Sequence, residues 1–536
     1  MSEFSLISSM KESSDSPIKK TVVTRIRDSN QGSYAGNQFS LDTRSLISSN
    51  DMFALSEAHL EIPYTITVSA LADMDKTNFL LALKHGYYSK IAGISVKLDN
   101  QALCTYTNLS NLYTHFNVMS TMNESDMKTV GNLIGFHKDE SCGYSYNVAQ
   151  SVNGIGECDT TGNDTSNGLK IDTDLTYKQT RINNGFVKRA EFINYREDDA
   201  LLAPFVKTGR ANEIFKSSVT HTADTKTYNV CAIVRLSDIH DVFKSMPVLR
   251  NPNLNLVVQF HSCNTYITVD NTNQYQPGVI TNPVNNFCNY QIKPCIAGII
   301  ADAGTFGIVE TMGNSSRNIV ELVIPKIEMN PDDELRYLED MGNDHLVKYT
   351  DIHSNTETFS SPAISWQINS ALSAMTGLLL LVRLGSNGAA LNGDNAATMS
   401  VDHSPFTSCP NYLCSAQAVS NFQVLLSNKP IFEAPVQYNY DMYLDMMRAK
   451  SINGFSSNAS ITSGLITRKD WEESSYGYIY VSLPKSTNMH ADQSLQVRFN
   501  NDNIAKVQRL DLVAFVEVEK AYEIDVNTGK IKMIQQ

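Results

Sequence analysis

The sequence predicts an all-β protein of two tandem modules, on three observations. Short apolar segments alternating at period two recur along its 536 residues, and 24 Tyr and 21 Phe suit pleated surfaces. Helical patterns are few and short. Each half also carries about eight strand-like segments and one long polar stretch rich in Gly, Ser, Thr and Asn, at 137–180 and 385–411. A chain of this length exceeds what one core supports, since domains commonly hold about 100–200 residues.

Taken in order, residues 1–20 read as a flexible polar tail with no apolar run of leader length. TVVTRIR (21–27) alternates as a strand, and AHLEIPYTITVSA (58–70) places Leu60, Ile62, Tyr64, Ile66 and Val68 on one face. Ile91 to Leu98 reads as a strand, Asp99-Asn100 as a turn, and Ala102 to Tyr106 as a second strand. Asn108 is the expected cap of a helix carrying Leu109, Leu112, Tyr113 and Phe116. After the first polar stretch, strand character returns at 185–195, at 227–236 and at 253–262, with a short helix from Ser237 between the last two.

The Asn- and Pro-rich stretch 264–287 reads as the linker, giving modules at 21–263 and 288–526 and a C-terminal tail at 527–536. VELVIPKIEMNPDDELRYLEDMGN (320–343) reads as an early strand of the second module followed by a helix. Asn330 is its cap, Pro331 its first residue, and Leu335, Leu338 and Met341 its apolar positions. This handover from strand to helix parallels 91–116. Strands are then expected at MTGLLLLVRL (375–384), 421–432, 476–485, 495–501 and 507–524, a helix at 440–450, and a hairpin turning at Asn527 to Gly529. Eight antiparallel strands with long crossing connections suit a jelly roll, which covers most sheet edges. The expected fold is therefore two tandem eight-stranded antiparallel jelly rolls with a few short helices and long surface loops.

A net charge of −13 argues against a surface that holds nucleic acid by neutralising phosphates. Nine scattered cysteines do not suggest a disulfide framework, and the longest apolar run, GLLLLV (377–382), is far shorter than the roughly 20 residues of a spanning helix. GSNGAALNG (385–393) and NGIGECDTTGN lack the G-K-[ST] and GxGxxG patterns of phosphate loops. His261 with Cys263, and Cys409 with Cys414, have no second ligand pair at zinc spacing. Asp172/Asp174 and Asp525/Asn527 lack a calcium loop's Gly-then-Glu. SDIHD (237–241) sets Ser, His and Asp side by side, but a triad is assembled in space, and Ser237 as a helix cap explains the same residues. No catalytic, cofactor-binding or metal-binding residue is assigned, and no cofactor is expected. Abundant strands with no catalytic pattern suit a protein that works as a surface.

Several segments resemble the double jelly-roll major capsid proteins of DNA viruses of the adenovirus, polinton-like virus, adintovirus and virophage lineage. They are SKIAGISVKLDNQALCTYTNLSNLYTHFNVM, YNVCAIVRLSDIHDVFKSMPVLRNPNLNLVVQF, VELVIPKIEMNPDDELRYLEDM, SSYGYIYVSLPKS and QVRFNNDNIAKVQRLDLVAFVEVEKAYEI. The resemblance spans most of residues 20–525 and rests on element order. It implies a non-enzymatic virion protein whose homotrimers form pseudo-hexagonal blocks of an icosahedral shell. Neighbouring capsomers, penton and minor capsid proteins, and an internal membrane are the implied partners, without strong direct nucleic-acid binding. It further implies synthesis in the host cytoplasm and assembly in the cytoplasm or nucleus. The loops 137–180 and 385–411 would decorate the outer face, and the tail 1–20 would lie inside or bridge to a neighbour. The alternative is a receptor- or carbohydrate-binding β-sandwich protein of a virion spike or fibre. A jelly-roll enzyme acting on sugars is a third.

Overall fold

The computed structural model describes residues 17–30, 38–46, 51–70, 80–83, 86–104, 109–138, 218–221, 225–260, 264–269, 294–297, 304–313, 319–342, 344–384, 419–450, 464–466, 478–484, 493–502 and 510–534, together with positions 32, 34, 468 and 471. Both long polar stretches beyond His137 and Lys138, the expected strand at 185–195, His261, Cys263, Cys409, Cys414, Asp172 and Asp174 lie outside the described residues.

Eight strands frame the first module: β1 (Ile18–Arg27), β2 (Gln38–Asp42), β3 (His59–Ala70), β4 (Ile91–Leu98), β5 (Gln101–Cys104), β6 (Thr225–Arg235), β7 (Leu254–Phe260) and β8 (Glu321–Met329). One sheet runs β1-β8-β3-β6 and the other β2-β7-β4-β5, all antiparallel. Alternation in the sequence decides which side chains face inward. Leu60, Ile62, Tyr64 and Ile66 of β3 stand directly opposite Val234, Ala232, Val230 and Tyr228 of β6, and all eight are buried.

The second module repeats the plan with β9 (His345–Phe359), β10 (Ala363–Leu372), β11 (Met375–Leu384), β12 (Val419–Leu426), β13 (Lys429–Pro430), β14 (Ile479–Ser482), β15 (Gln493–Asn501) and β16 (Leu510–Ile524). Its sheets run β9-β16-β11-β14 and β10-β15-β12-β13. Counted within each module, the order is 1-8-3-6 and 2-7-4-5 both times, the strand order of a jelly roll. The fold is thus a double jelly roll. Residues 512–518 of β16 are buried on both faces, which explains why that strand reads as a nearly unbroken apolar run.

The fourth and fifth strands of each module are joined by a two-residue turn with both residues left-handed. These are Asp99 (φ 46°) and Asn100 (φ 64°) in the first, and Ser427 (φ 48°) and Asn428 (φ 62°) in the second. Such mirror-image turns match the right-handed twist of the strands they join, and Asn and Asp tolerate the conformation best after Gly.

Six helices are used below: α1 (Ser110–Thr121), α2 (Glu124–Thr129), α3 (Gly131–Ile134), α4 (Leu236–Ile239), α5 (Pro331–Met341) and α6 (Tyr440–Lys450). The connection between fifth and sixth strands carries α1 to α3 in the first module and α6 in the second. Residues 419–450, and not 320–343, are therefore the counterpart of 91–121.

Strand pairing corrects the expected boundaries. β8 closes the first module, hydrogen-bonded to β1 and β3, and the second module starts at β9. The expected linker begins with a strand, Asn264–Val269, which pairs with Gly304–Met312, and that strand in turn pairs with the outer half of β3. The Asn- and Pro-rich sequence therefore opens an insertion between the seventh and eighth strands. Position in the sheet, which composition does not report, marks the end of the module. The expected tails are also shorter. β1 begins at Ile18, and Ile531–Met533 pairs with β16 across the hairpin closed by Gly529 N–H to the Asp525 carbonyl (2.8 Å).

Three local expectations change as well. Asn108 lies outside the described residues, and the residue before α1 is Leu109, left-handed at φ 61°. Ser237 lies inside α4, whose preceding residue is Arg235, held to Asp238 at 2.8 Å. In α5, Asn330 does precede the helix and Pro331 opens it, but Leu335 is exposed. The buried contacts are Asp333 and Tyr337, whose hydroxyl donates to the Val248 carbonyl at 3.1 Å.

Candidate functional site: the junction between the modules

The densest buried polar chemistry among the described residues lies where the modules meet. Helix α1 belongs to the first module by sequence, yet its apolar side chains pack on the outward face of the second module's β9-β16-β11-β14 sheet. Phe116 lies 5.1 Å from Tyr478 and 5.7 Å from Tyr480 between ring centres, and Tyr113 lies 5.7 Å from Phe515. Ten of its twelve residues are buried, so both flanks are covered.

At the centre stands Glu517 of β16. Its carboxyl group accepts the Tyr113 hydroxyl at 2.6 Å and the Tyr480 hydroxyl at 2.8 Å. Burial, reinforced by Glu517, pushes both phenols far above their ordinary range, so they remain donors. Gly377 of β11 sits opposite Glu517 in the ladder, and its missing side chain makes the cluster possible. A Cβ there would fall 2.2 Å from the Tyr480 oxygen and 2.6 Å from a Glu517 oxygen.

Two further contacts flank it. The Tyr349 hydroxyl donates to the Leu103 carbonyl at 2.7 Å, and the Thr350 N–H donates to Asp241 at 3.0 Å. Arg250 reaches the C-terminal hairpin, its N–H donating to the Val526 carbonyl (3.0 Å) and its Nη1 to Asn527 (2.8 Å), and it also pairs with Glu334 of α5. The α1 end is pinned by Leu465 N–H to the Met119 carbonyl at 2.7 Å.

Cys104, His240 and Asp351 come together here, all buried, with donor atoms within 4.8 Å of one another. This grouping invites two chemical readings, a metal site and a thiol nucleophile, and its surroundings argue against both. His240 Nδ1 accepts the Val242 N–H at 3.2 Å, and Nε2 faces Asp351 at 3.2 Å. A neutral imidazole bound to a metal through Nε2 would need its proton on Nδ1, where the Val242 N–H already points. A Cys–His–Asp relay has to stand where a substrate can reach the thiol, and here all three groups are buried.

Burial pushes the His240 ring toward neutrality, while Cys104 and Asp351 pull it up toward about 9. The Val242 bond decides for the neutral ring, because only that form keeps a lone pair on Nδ1. Burial alone would raise the Asp351 carboxyl, but the hydrogen bond from His240 and the Lys520 ammonium outweigh it and hold the group below its ordinary range. The cluster is a structural lock. Of SDIHD, the sequence's one catalytic-looking string, His240 and Asp241 serve this junction through Asp351 and Thr350. Neither Glu517 nor Gly377 belongs to a sequence motif, and the signal each carries is an acid inside the buried apolar run 512–518 and a glycine inside the apolar strand 375–384.

Among the described residues, no helix is long and apolar enough to cross a membrane. No family model matches the sequence, and no curated protein resembles it in sequence. Solved structures do resemble the fold. A chain in the 3.5 Å cryo-EM structure of the Sputnik virophage matches 98% of this chain and 90% of its own length, at 11% identity and a TM-score of 0.52. The mavirus major capsid protein matches 97% of this chain and 91% of its own length, at 9% identity and a TM-score of 0.47. The Faustovirus major capsid protein matches 96% and 92%, at 7% identity and a TM-score of 0.47. With these two scores under one half, the shared fold rests on the virophage chain and on the strand order.

Proposed function

We propose that the chain is a major capsid protein, whose homotrimers present a pseudo-hexagonal outline and tile the icosahedral shell of a DNA virus. The observation that carries this reading is the repeated 1-8-3-6 and 2-7-4-5 strand order, in two modules locked face to face by a buried junction. Such a pair is a rigid block with two near-equivalent sides, suited to tiling. The fold likeness to a chain of a virophage structure supports it, as does the resemblance of the strand and helix segments.

On this reading the chain is not an enzyme and resides in the virion. Its partners are neighbouring copies, penton and minor capsid proteins, and an internal membrane where the particle has one. Residues 1–16, which precede β1, tether neighbouring copies. The net charge of −13 leaves genome neutralisation to other components.

Purified full-length protein tests the proposal by analytical ultracentrifugation and electron microscopy. A stable trimer that forms shells or hexagonal sheets is the expected result. A monomer that binds glycans on an array refutes it and favours a spike or fibre protein. Removal of residues 1–16 is expected to weaken assembly, and unchanged assembly refutes the tether.

A further inference from the structure

A charged pair also lies buried inside the first module, on residues that take no part in the junction. Lys90 ends the short 3-10 turn Tyr87–Lys90 that leads into β4, and Glu310 lies on the strand Gly304–Met312. In the ladder Glu310 stands opposite Ile66 of β3, so its side chain shares the inward face of that sheet. The pair therefore bridges the two sheets of the jelly roll. Both side chains are fully buried, and the ammonium is hydrogen-bonded to the carboxyl group.

Aromatic rings close the site. Lys90 Nζ lies 5.3 Å from the ring centre of Tyr64 and 5.9 Å from that of Phe260. The Tyr64 hydroxyl is itself buried and has no hydrogen-bond partner among the described residues, which leaves a spare donor beside the pair. In open solution an amine and a carboxylate do not condense, because they part quickly and water holds both as ions. Here the fold keeps them in contact, and a well-oriented pair has an effective concentration of roughly 10⁵–10⁸ M. Burial also removes the solvation that favours the ions and keeps water from the product.

We propose that Lys90 and Glu310 form a spontaneous isopeptide bond in the folded chain. One ammonium proton passes along the hydrogen bond, leaving a neutral amine and a carboxylic acid. The Nζ lone pair attacks Glu310 Cδ, and the electron pair of the C=O bond moves to its oxygen, where the spare Tyr64 hydroxyl donates to the developing charge. The C=O bond then re-forms as the acid's hydroxyl leaves, taking a second proton from nitrogen and departing as water. An ammonium and a carboxylate thus become one amide and one water, with no oxidant, reductant or cofactor. The product ties β4 and the strand Gly304–Met312 together across the core. In chain that has not condensed, the two residues act as the ion pair seen here.

Intact-mass spectrometry of the denatured full-length chain tests the bond. The expected mass is one water below that of the linear sequence, with a proteolytic product joining the Lys90 peptide to the Glu310 peptide. Lys90→Arg and Glu310→Ala should each retain the water. Tyr64→Phe should slow the condensation about a hundredfold, read as a mixture of the two masses after purification. Wild-type chain that keeps its full mass, with residues 90 and 310 in separate peptides, overturns the proposal, and this readout needs no variant to fold. Water loss that persists in Glu310→Ala overturns the assignment to this pair, and a Tyr64→Phe chain that condenses as fast as the wild type overturns the part given to Tyr64.

Discussion

Replacing Gly377 by Ala should unfasten the junction from its centre. The added Cβ would meet the Tyr480 hydroxyl at 2.2 Å and a Glu517 oxygen at 2.6 Å, two atoms already bonded to each other. Either tip can swing away, so steric overlap itself costs little. Swinging it away breaks the hydrogen bond to Tyr480 and disturbs the one from Tyr113, leaving the Glu517 carboxyl short of donors in a buried site. A hydrogen bond to an ionised group contributes about 1.5–3 kcal/mol, and Ala gains about 0.5–1 kcal/mol over Gly in backbone entropy. The net expectation is a loss of about 1–2 kcal/mol, which for a chain this long lowers the melting temperature by about 1–2 °C. Differential scanning calorimetry on the wild type, Gly377→Ala, Tyr480→Phe and the double variant closes the cycle. Tyr480→Phe removes the crowded oxygen, so the Ala substitution should cost less than about 1 kcal/mol in that background. A Gly377→Ala protein as stable as the wild type, or costs that simply add, would refute the reasoning.

Three other outcomes are expected. Lys90 and Glu310 form a fully buried ion pair, with the ammonium 5.3 Å from the centre of the Tyr64 ring. Lys90→Met should therefore cost about 3–5 kcal/mol in chemical denaturation, and Lys90→Met/Glu310→Leu should recover most of it. The Asp351 carboxyl is held below its ordinary value in the folded chain by the His240 hydrogen bond and the Lys520 ammonium. Its contribution is complete above the unfolded value near 4 and is lost as pH falls through the lowered folded value. Asp351→Asn should flatten the stability profile across that window, and an unchanged slope would remove the assignment. At the left-handed turn position Asn428, Gly should be neutral or stabilising and Val should cost about 1–2 kcal/mol, read as shifts in urea midpoint.

What sequence reasoning recovered and what it missed separate by range. The alternation in 58–70, the apolar 375–384 segment and the Asp99-Asn100 turn are local patterns, and each matches an observed element. The end of the first module is not local. Whether β8 belongs to the first or second module depends on its pairing with β1, nearly three hundred residues away, and both placements suit its period-two pattern equally well. The junction shows the same split. Aromatic residues in 108–116 are legible as helix positions, but nothing near Tyr113 names Glu517 as its partner. His240 stands out in the sequence through the Ser and Asp beside it, whereas its partner in the fold is Asp351 on another strand.

The late arrival of β8 also bears on how the chain is made. When residue 260 leaves the ribosome, seven strands of the first jelly roll exist, and the slot between β1 and β3 is empty. Some sixty residues of insertion must follow before Glu321–Met329 can fill it. Synthesis at roughly 5–20 residues per second leaves that gap open for several seconds. Throughout that interval the nascent chain shows two unpaired strand margins facing one vacancy, the geometry that invites a strand from another chain. The basic residues crowding β1 then guard an unfinished sheet as well as marking the finished one's edge.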